Sequence, residues 1–274
     1  MKIKNIKMIV TDLDGTLLTS GKTVSAGNCA AIQRLAGQDI LFVIASGRAL
    51  TSILLSLDAW GLQGLPDYII HTNGFGYYET ASGKEHTSYR MQKEWCEEII
   101  HLYVRDGVCL MDHTGERLIA TCHNPTIDRV RTYHNLTPEY VDVDYFQNHC
   151  FPKLVLTASR ETIDEIENRY QKLHHNPCYH GFRSASDIFE FVDARVSKGS
   201  AVRQLCQQLG LSTQQVVAFG DSSNDYDMLR NIPHSVAMGN ASDLIRGITR
   251  YTTDTNDEDG VSSFINQFIL GEEL

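Results

Sequence analysis

The chain has 274 residues and a formal net charge of −10, and 42% of its residues are hydrophobic. This length suits one large domain or two smaller ones, with enough apolar residues for a sizeable core. The negative charge argues against a nucleic acid or an anionic membrane as the main partner, because both select basic patches, and it leaves small anionic substrates open.

The sequence carries no evident targeting or membrane signal, and its cysteines are scattered. No stretch approaches the ~20 consecutive apolar residues of a membrane span, and the basic N-terminus lacks the apolar run of a signal peptide. The seven cysteines include no Cys-x-x-Cys pair, and their number is odd. We therefore expect reduced cysteines and a cytoplasmic protein.

The opening part of the chain alternates strand and helix patterns. Continuous apolar runs occupy 8–10 and 40–45, a short strand pattern occupies 67–70, and helix patterns follow Ser25 and Arg48. Short apolar runs of this kind are typical of strands that are buried on both faces of a parallel sheet. The alternation predicts an α/β fold with a doubly wound, Rossmann-like parallel sheet.

The middle of the chain shows a different pattern. Hairpin signals at 75–83, a helix pattern at 93–104 and meandering strands at 178–192 indicate an α+β module. The stretch 123–150 contains two prolines and is predicted to be irregular.

The alternating pattern returns afterwards, with a helix at 200–209 and an apolar strand at 215–219. The α+β module is therefore interpreted as an insertion into the parallel sheet, and we place it at 83–186. The core domain then comprises 1–82 and 187–274.

Paired carboxylates end the first strand. Asp12 and Asp14 follow the apolar run directly, and Gly15 comes next. Side chains alternate along extended backbone, so both carboxylates can project toward one site, and ligands bind at the carboxyl edge of such sheets. Two close carboxylates repel each other unless a cation is shared, which favours a hard divalent ion such as Mg²⁺. The alternative is a simple Asp-Gly turn with solvated acids.

The ends of later strands and the start of one helix supply residues that complement this pair. Serine and glycine at a helix start suit a phosphate, as does a lysine, and further acids suit a metal. These residues are Ser46, Gly47, Lys198, Asp221, Asn224 and Asp225. Together with Asp12 and Asp14 they predict a site for a phosphoryl group and a metal ion.

The motifs resemble those of the haloacid dehalogenase superfamily. Residues 12–16 read Asp-Leu-Asp-Gly-Thr and match motif I, Ser46 matches motif II, Lys198 matches motif III and 220–225 match motif IV. The Cof-type phosphatases are most similar, because they share three further features. These are Asn73-Gly74, Ser197-Lys198-Gly199 and Asp259-Gly260-Val261.

Motif spacing indicates the subclass. The interval from Asp12 to Ser46 is too short for a cap domain, whereas about 150 residues separate Ser46 from Lys198. An insertion in that second interval resembles the C2-type cap of type IIB members. Motif IV departs slightly from the family, since Ser222-Ser223 stand where relatives often carry Asn-Glu.

The resemblance implies a role for each matched residue. Asp12 would be the nucleophile that forms an aspartyl-phosphate, and Asp14 the general acid and base. Mg²⁺ would be held by Asp12, by the backbone carbonyl of Asp14 and by Asp221, with Asp225 either a ligand or a support. The transferring phosphoryl group would be bound by Ser46, Gly47, Lys198 and Asn224.

The expected function is therefore hydrolysis of small phosphate monoesters, such as sugar phosphates or cofactor phosphates. A phosphomutase of the same fold and a non-catalytic phosphoryl-binding regulatory protein are the alternatives, and the presence of both Asp12 and Asp14 argues against the second. Tyr77, Tyr78 and Arg183 are possible contacts of the leaving group. Adjacent His174 and His175 would point apart on a helix and make a poor metal pair.

Overall fold

The computed structural model describes residues 2–113, 117–134, 136–173 and 176–271, so that His174 and His175 lie outside the described residues. Its strands in chain order are β1 (Met8–Thr11), β2 (Leu41–Ala45), β3 (Tyr68–His71), β4 (Gly76–Glu79), β5 (Lys84–Thr87), β6 (Cys109–Asp112), β7 (Leu118–Ala120), β8 (Pro138–Tyr140), β9 (Lys153–Thr157), β10 (Tyr179–Ala185), β11 (Ile188–Asp193), β12 (Val216–Gly220), β13 (His234–Ala237) and β14 (Tyr251–Thr252). Its α-helices are α1 (Ala26–Ala36), α2 (Leu50–Ser56), α3 (Lys93–Tyr103), α4 (Pro125–His134), α5 (Val143–Asn148), α6 (Arg160–Lys172), α7 (Lys198–Leu209), α8 (Tyr226–Asn231), α9 (Asp243–Arg246) and α10 (Gly260–Phe264). No helix in these ranges is both long and apolar enough to cross a membrane.

The chain forms two compact units. The described residues through Thr87 and from Ser197 onward form the first, here called the core unit, and Ser88–Val196 forms the second, here called the inserted unit. The boundaries of these units lie at later residues than those of the predicted division into 1–82, 83–186 and 187–274. The reason is strand pairing, because β5 pairs with β4 of the core unit, whereas β11 pairs with β9 and β10.

The core unit is built on a doubly wound sheet, as the sequence predicted. The strand order is β14-β13-β12-β1-β2-β3-β4-β5, and the six strands from β14 to β3 are parallel. Helices α1 and α10 pack on one face, and α7 and α8 pack on the other. The strand order reverses at β1, and in such sheets the carboxyl ends at the reversal form a ligand crevice.

Local sequence explains why the elements of the core unit form. All four residues of β1 are buried, as expected for a central parallel strand. The hydroxyl of Ser25 accepts a hydrogen bond from the N–H of Asn28 and caps α1. Ser197 and Ser200 form a reciprocal capping box at the start of α7, which fixes the position of Lys198 at the first turn.

The inserted unit contains a six-stranded sheet of order β10-β11-β9-β6-β7-β8, within the described part of the chain. The stretch 123–150 is not irregular, and that prediction is wrong: it contains α4, β8 and α5. Both prolines start an element, where a missing N–H is tolerated. Pro125 is the first residue of α4 and Pro138 the first of β8, and the side chain of Asn124 accepts the N–H of Ile127 at the helix start.

One pair of cysteines contradicts the expectation that all are reduced. Cys109 and Cys122 form a disulfide, with their Cα atoms 5.4 Å apart. Strands β6 and β7 are antiparallel, and their register continues from Met111–Ala120 to bring these two cysteines opposite each other. The pairing depends on hairpin register, which the spacing of the cysteines along the chain does not reveal. The remaining five cysteines are free: Cys29, Cys96, Cys150, Cys178 and Cys206.

Candidate active site

A buried lysine joins the ends of two strands at the crevice. The Nζ of Lys198 donates to Oδ1 of Asp12 at 2.6 Å and to Oδ1 of Asp225 at 2.7 Å. Asp12 follows β1 and Asp225 follows β12, and these strands are parallel neighbours. Lys198 has no exposed surface. The structure therefore brings together three predicted site residues that are far apart in the sequence.

Negative charge exceeds positive charge in this cluster. One carboxylate oxygen from each of Asp12, Asp221 and Asp225 lies within 4.8 Å of the other two. Burial raises the pKa of Asp12 well above its usual range, with Asp225 and Asp221 adding to the effect of burial and Lys198 opposing it. Burial and Asp225 raise the pKa of Asp221 to about 6. Burial alone would lower the pKa of Lys198, but Asp12 and Asp225 raise it.

These residues fit a hard divalent cation. Three carboxylates with a single ammonium group leave an excess of negative charge, and the donor atoms are oxygens, which Mg²⁺ prefers. The backbone is adapted to keep Asp221 close to motif I. Gly15 has a φ of +84°, and a Cβ at that position would lie 2.6 Å from Oδ2 of Asp221. The hydroxyl of Thr16 donates to Oδ1 of Asp221 at 2.9 Å.

Asp225 already uses both of its carboxylate oxygens. Oδ1 accepts from Lys198, and Oδ2 accepts from the backbone N–H groups of Asp221, at 3.0 Å, and Ser222, at 3.2 Å. Asp225 is fully buried. It therefore fixes the backbone of motif IV and the ammonium group of Lys198 at the same time.

Asp14 lies in a different environment from Asp12. Arg48 donates to Oδ2 from Nε at 2.7 Å and to Oδ1 from Nη2 at 2.8 Å, and Nζ of Lys22 donates to Oδ1 at 2.7 Å. Partial burial would raise the pKa of Asp14, but the hydrogen bonds and charges of Arg48 and Lys22 lower it to about 2. The two acids of motif I thus have opposite pKa shifts, and Asp14 is held as a carboxylate.

Three of the four predicted phosphate-binding residues, Ser46, Gly47 and Asn224, contact the same residue, Asn73. Ser46 is buried, and its hydroxyl accepts the N–H of Arg48 at 3.2 Å. The Nδ2 of Asn224 donates to Oδ1 of Asn73 at 3.3 Å, and a Cβ on Gly47 would lie 2.9 Å from the same oxygen. Gly47 and Asn224 are therefore brought together by Asn73.

The possible leaving-group contacts have partners within their own units. The hydroxyl of Tyr77 donates to Gln208, and Tyr78 packs against the apolar core of the core unit. Arg183 binds Asp164 and Glu167 in the inserted unit.

Comparison with known proteins identifies the family. A family model described as haloacid dehalogenase-like hydrolase matches residues 9–265. The chain belongs to this family. It is an enzyme of the phosphoric monoester hydrolase class, and the resemblance that the motifs indicated is confirmed.

Individual relatives of this haloacid dehalogenase-like hydrolase agree with that assignment. It is 27% identical over 291 residues to the 5-amino-6-(5-phospho-D-ribitylamino)uracil phosphatase YwtE of Bacillus subtilis (strain 168), covering 97% of this chain and 99% of that protein. A haloacid dehalogenase-like hydrolase from B. subtilis has a similar structure, with a TM-score of 0.82 and 25% identity, covering 96% of this chain and all of that one. The subclass IIB sugar phosphatase BT4131 shares the fold, with a TM-score of 0.81, 19% identity and coverage of 95% and 98%.

Several site residues of this hydrolase were not predicted from the sequence. The sequence analysis assigns no site role to Arg48, which precedes a predicted helix, or to Lys22. Thr16 was quoted only as a part of motif I, and Asn73 only as a family likeness. Polar residues in the turns after parallel strands were the available signal. Their partners, however, lie on other strand ends, so the contacts emerge only from the fold.

Proposed function

We propose that the chain is a Mg²⁺-dependent phosphatase that hydrolyses small phosphate monoesters, such as sugar phosphates or cofactor phosphates, through an aspartyl-phosphate on Asp12. The buried position of Lys198 between Asp12 and Asp225, with Asp221 nearby, carries this proposal. A lysine held in this way can bind phosphate oxygens next to a carboxylate nucleophile.

The metal ion would be held by Asp12, by the backbone carbonyl of Asp14 and by Asp221. The excess of carboxylates over ammonium groups in the cluster supports this assignment. When bound, the ion supplies positive charge that lowers the repulsion between a carboxylate and a phosphate. Asp225 supports the site without needing to bind the ion, because its oxygens have protein partners.

The chain's own residues would carry out the reaction in two halves. An oxygen of Asp12 forms a bond to phosphorus while the bond from phosphorus to the leaving oxygen breaks, and Asp14 gives that oxygen a proton. Asp14 then removes a proton from water, whose oxygen attacks phosphorus. The bond to Asp12 breaks, inorganic phosphate leaves, and Asp14 is protonated again. Ser46, Gly47, Lys198 and Asn224 hold the transferring group throughout.

The contacts of Asp14 add a requirement to this cycle. A carboxylate that accepts three hydrogen bonds from Arg48 and Lys22 is ready to act as a base. To act as an acid, Asp14 has to lose hydrogen bonds to Arg48 and Lys22, gain a proton, and donate that proton to the leaving oxygen. Arg48 and Lys22 then become available for other groups of the substrate.

The residues Ser88–Val196 are proposed to be the C2-type cap of the family, an assignment that their position in the chain supports.

We also propose a cytoplasmic location. Five of the seven cysteines are free, which supports this location, whereas the Cys109–Cys122 disulfide argues against it. The net charge of −10 supports a small-molecule substrate over nucleic acid or membrane partners. Fractionation of cells that produce the protein tests the location.

The test compares Asp12→Asn with Asp243→Asn, a matched change at a fully exposed acid. Phosphate release from para-nitrophenyl phosphate is measured over a Mg²⁺ titration. We expect a loss of ~10³-fold or more for Asp12→Asn and no loss for the control. Near-normal turnover of Asp12→Asn would exclude the aspartyl-phosphate mechanism.

A second variant, Asp14→Asn, tests the proton-transfer role. It should release phosphate slowly and accumulate a phosphorylated chain, seen by mass spectrometry as one added phosphoryl group. Phosphate release itself separates this function from a phosphomutase and from a non-catalytic phosphoryl-binding protein. A panel of sugar phosphates and cofactor phosphates, including the compound named for the YwtE relative, then ranks substrates.

A further inference from the structure

The turn that follows β3 has an unusual backbone conformation. Thr72, Asn73 and Gly74 are consecutive residues with positive φ angles of 49°, 54° and 97°. Glycine adopts this region freely and asparagine tolerates it, but a β-branched threonine does so only with backbone strain. Such a turn persists only where surrounding contacts hold it.

The contacts that hold the turn come from the segments that carry the phosphate-binding residues. The N–H of Thr72 donates to the carbonyl of Arg48 at 2.8 Å, and the N–H of Asn73 donates to the carbonyl of Ser46 at 3.0 Å. Gly74 lies so close to the start of α7 that a Cβ there would overlap the carbonyl of Ser197 and lie 3.1 Å from the backbone nitrogen of Lys198. The turn therefore contacts motif II and motif III at once.

The side chain of Asn73 extends these contacts to motif IV. It is buried, with 7% of its surface exposed, and its Oδ1 accepts a hydrogen bond from Nδ2 of Asn224. The Oδ1 of Asn224 in turn accepts from the hydroxyl of Ser222 at 2.7 Å. In this arrangement the Asn224 amide directs its nitrogen toward Asn73 and its oxygen toward Ser222.

This arrangement decides what Asn224 can offer a phosphate. An amide nitrogen has two hydrogens, and Asn73 takes one of them, so the second stays available for a phosphate oxygen. If the Asn224 amide rotated by half a turn, its oxygen would replace that donor and would repel an anion. The same Asn73 oxygen packs against Gly47, whose backbone N–H is the neighbouring donor.

We propose that Asn73 is a positioning residue for the phosphoryl group, which orients the amide of Asn224 and packs against the backbone of Gly47. The inference rests on the proposed function, because it assumes that Asn224 and Gly47 bind phosphate. In this proposal the left-handed turn keeps two donors, the backbone N–H of Gly47 and the side-chain amide of Asn224, at a fixed separation.

The test uses Asn73→Gly, which keeps a residue suited to positive φ and removes only the side chain. Asn5→Gly is the matched control, because Asn5 also has a positive φ, of 63°, and is exposed away from the site. The readouts are kcat and KM for para-nitrophenyl phosphate and the inhibition constant of inorganic phosphate, with Mg²⁺ present. We expect Asn73→Gly to lower kcat/KM and to weaken phosphate inhibition by about tenfold or more, and Asn5→Gly to change neither.

A double-mutant cycle with Asn224→Ala distinguishes positioning from a general structural effect. Because part of the effect of Asn73 passes through Asn224, Asn73→Gly should cost several-fold less in the Asn224→Ala background than in the wild type, and the loss that remains reports the packing against Gly47. The inference would be overturned if the loss of kcat/KM in the double variant equalled the product of the losses in the two single variants. Unchanged phosphate inhibition in Asn73→Gly would also overturn it. If Asn73→Gly does not fold, Asn73→Asp keeps the acceptor and adds a negative charge beside Gly47. Wild-type phosphate inhibition in Asn73→Asp would then overturn it equally.

The outcomes separate this inference from the proposed function. An active Asp12→Asn variant means that the proposed mechanism fails. An inactive Asp12→Asn variant together with a normal Asn73→Gly variant means that only the role of Asn73 fails.

Discussion

The core unit and the inserted unit each bury a lysine, and the two lysines have different surroundings. Lys198 in the core unit contacts Asp12 and Asp225, with Asp221 close to both. Lys153 in the inserted unit donates to both oxygens of Glu190 at 3.0 Å, and the hydroxyl of Ser184 donates to Oε1 of the same carboxylate at 2.9 Å.

The difference lies in charge balance. One ammonium group and one carboxylate neutralise each other in the inserted unit, and a hydroxyl completes the hydrogen bonding, so this pair needs no ligand. In the core unit one ammonium group faces three carboxylates, and burial raises the pKa of two of them, Asp12 and Asp221. Unbalanced buried charge is expensive for stability, and such perturbed groups cluster at functional sites. Burial of a lysine alone would not have distinguished the two.

The largest expected effect is on catalysis. Lys198→Met should lower kcat/KM for para-nitrophenyl phosphate by ~10³-fold, because a charged phosphate contact is lost beside the nucleophile. Lys153→Met removes an equally buried ammonium group and is the matched control, with an expected change of only a few fold. Equal losses in the two variants would contradict the assignment of Lys198 to the site and of Lys153 to structure.

The second prediction concerns stability in the inserted unit. Lys153→Met should lower the free energy of unfolding by about 3–4 kcal/mol, because Glu190 is left buried without a counter-charge. Adding Glu190→Leu to that variant should restore most of the loss, since the unpaired carboxylate is then gone. Urea unfolding measures both. A double variant no more stable than the single one would show that the pair does more than neutralise itself.

The third prediction uses the covalent link that joins β6 to the segment after β7. Reducing the Cys109–Cys122 disulfide should destabilise the inserted unit by about 3 kcal/mol, because the unfolded chain gains the freedom of a loop of 13 residues. Cys109→Ser should behave like the reduced protein, and Cys178→Ser, at an exposed free cysteine, should not. Thiol titration of the denatured, unreduced protein should find five thiols, and finding seven would mean that the disulfide does not form.

The smallest expected effect, roughly 2–3 kcal/mol, is the part of the pH and metal dependence of stability that comes from the surplus carboxylates of the core unit. The folded pKa of Asp221, about 6, lies above its ordinary 3.8, and that of Asp12 is also raised. The folded protein then holds protons on these acids that the unfolded chain has lost. Burial lowers the pKa of His71 to about 4, which favours the opposite trend over the same range. The contribution of Asp221 and Asp12 to metal-free stability should therefore fall as pH rises from about 4 through 6.

Saturating Mg²⁺ should remove this decline, because a bound cation replaces those protons, and it should raise stability at pH 7.5 by up to ~2.7 kcal/mol at a hundredfold excess over Kd. Thermal unfolding at several pH values with EDTA or Mg²⁺ checks both effects. Asp221→Asn should remove the part of the pH profile that Asp221 contributes and weaken the Mg²⁺ effect, whereas Asp243→Asn, at a fully exposed acid, should leave the response to Mg²⁺ unchanged. Parallel pH profiles of metal-free wild type and metal-free Asp221→Asn would refute the prediction.

Local sequence patterns were sufficient for the core unit and insufficient for parts of the inserted unit. The apolar run of β1, followed by Asp12 and Gly15, predicted a buried strand with a site at its end, because burial on both faces and a turn are each encoded by adjacent residues. The prolines of 123–150 were misleading. A proline at the first position of a helix or an edge strand is tolerated, and the sequence alone does not distinguish it from a proline that interrupts a helix or strand. The unit boundaries differ from the predicted ones for a related reason, since β5 and β11 belong to the unit of the strands with which they pair.

The sequence by itself therefore determined the type of fold and the order in which Asp12, Ser46, Lys198 and Asp221 reach one edge of a parallel sheet. Those features follow from periodicity, turns and chain order, which are local. Only the tertiary structure decided that Arg48 and Lys22 hold Asp14 as a carboxylate and that Cys109 pairs with Cys122. It also decided the charge balance around each buried lysine. These properties depend on distances between residues far apart in the chain, and electrostatic energies in a protein interior change steeply with such distances.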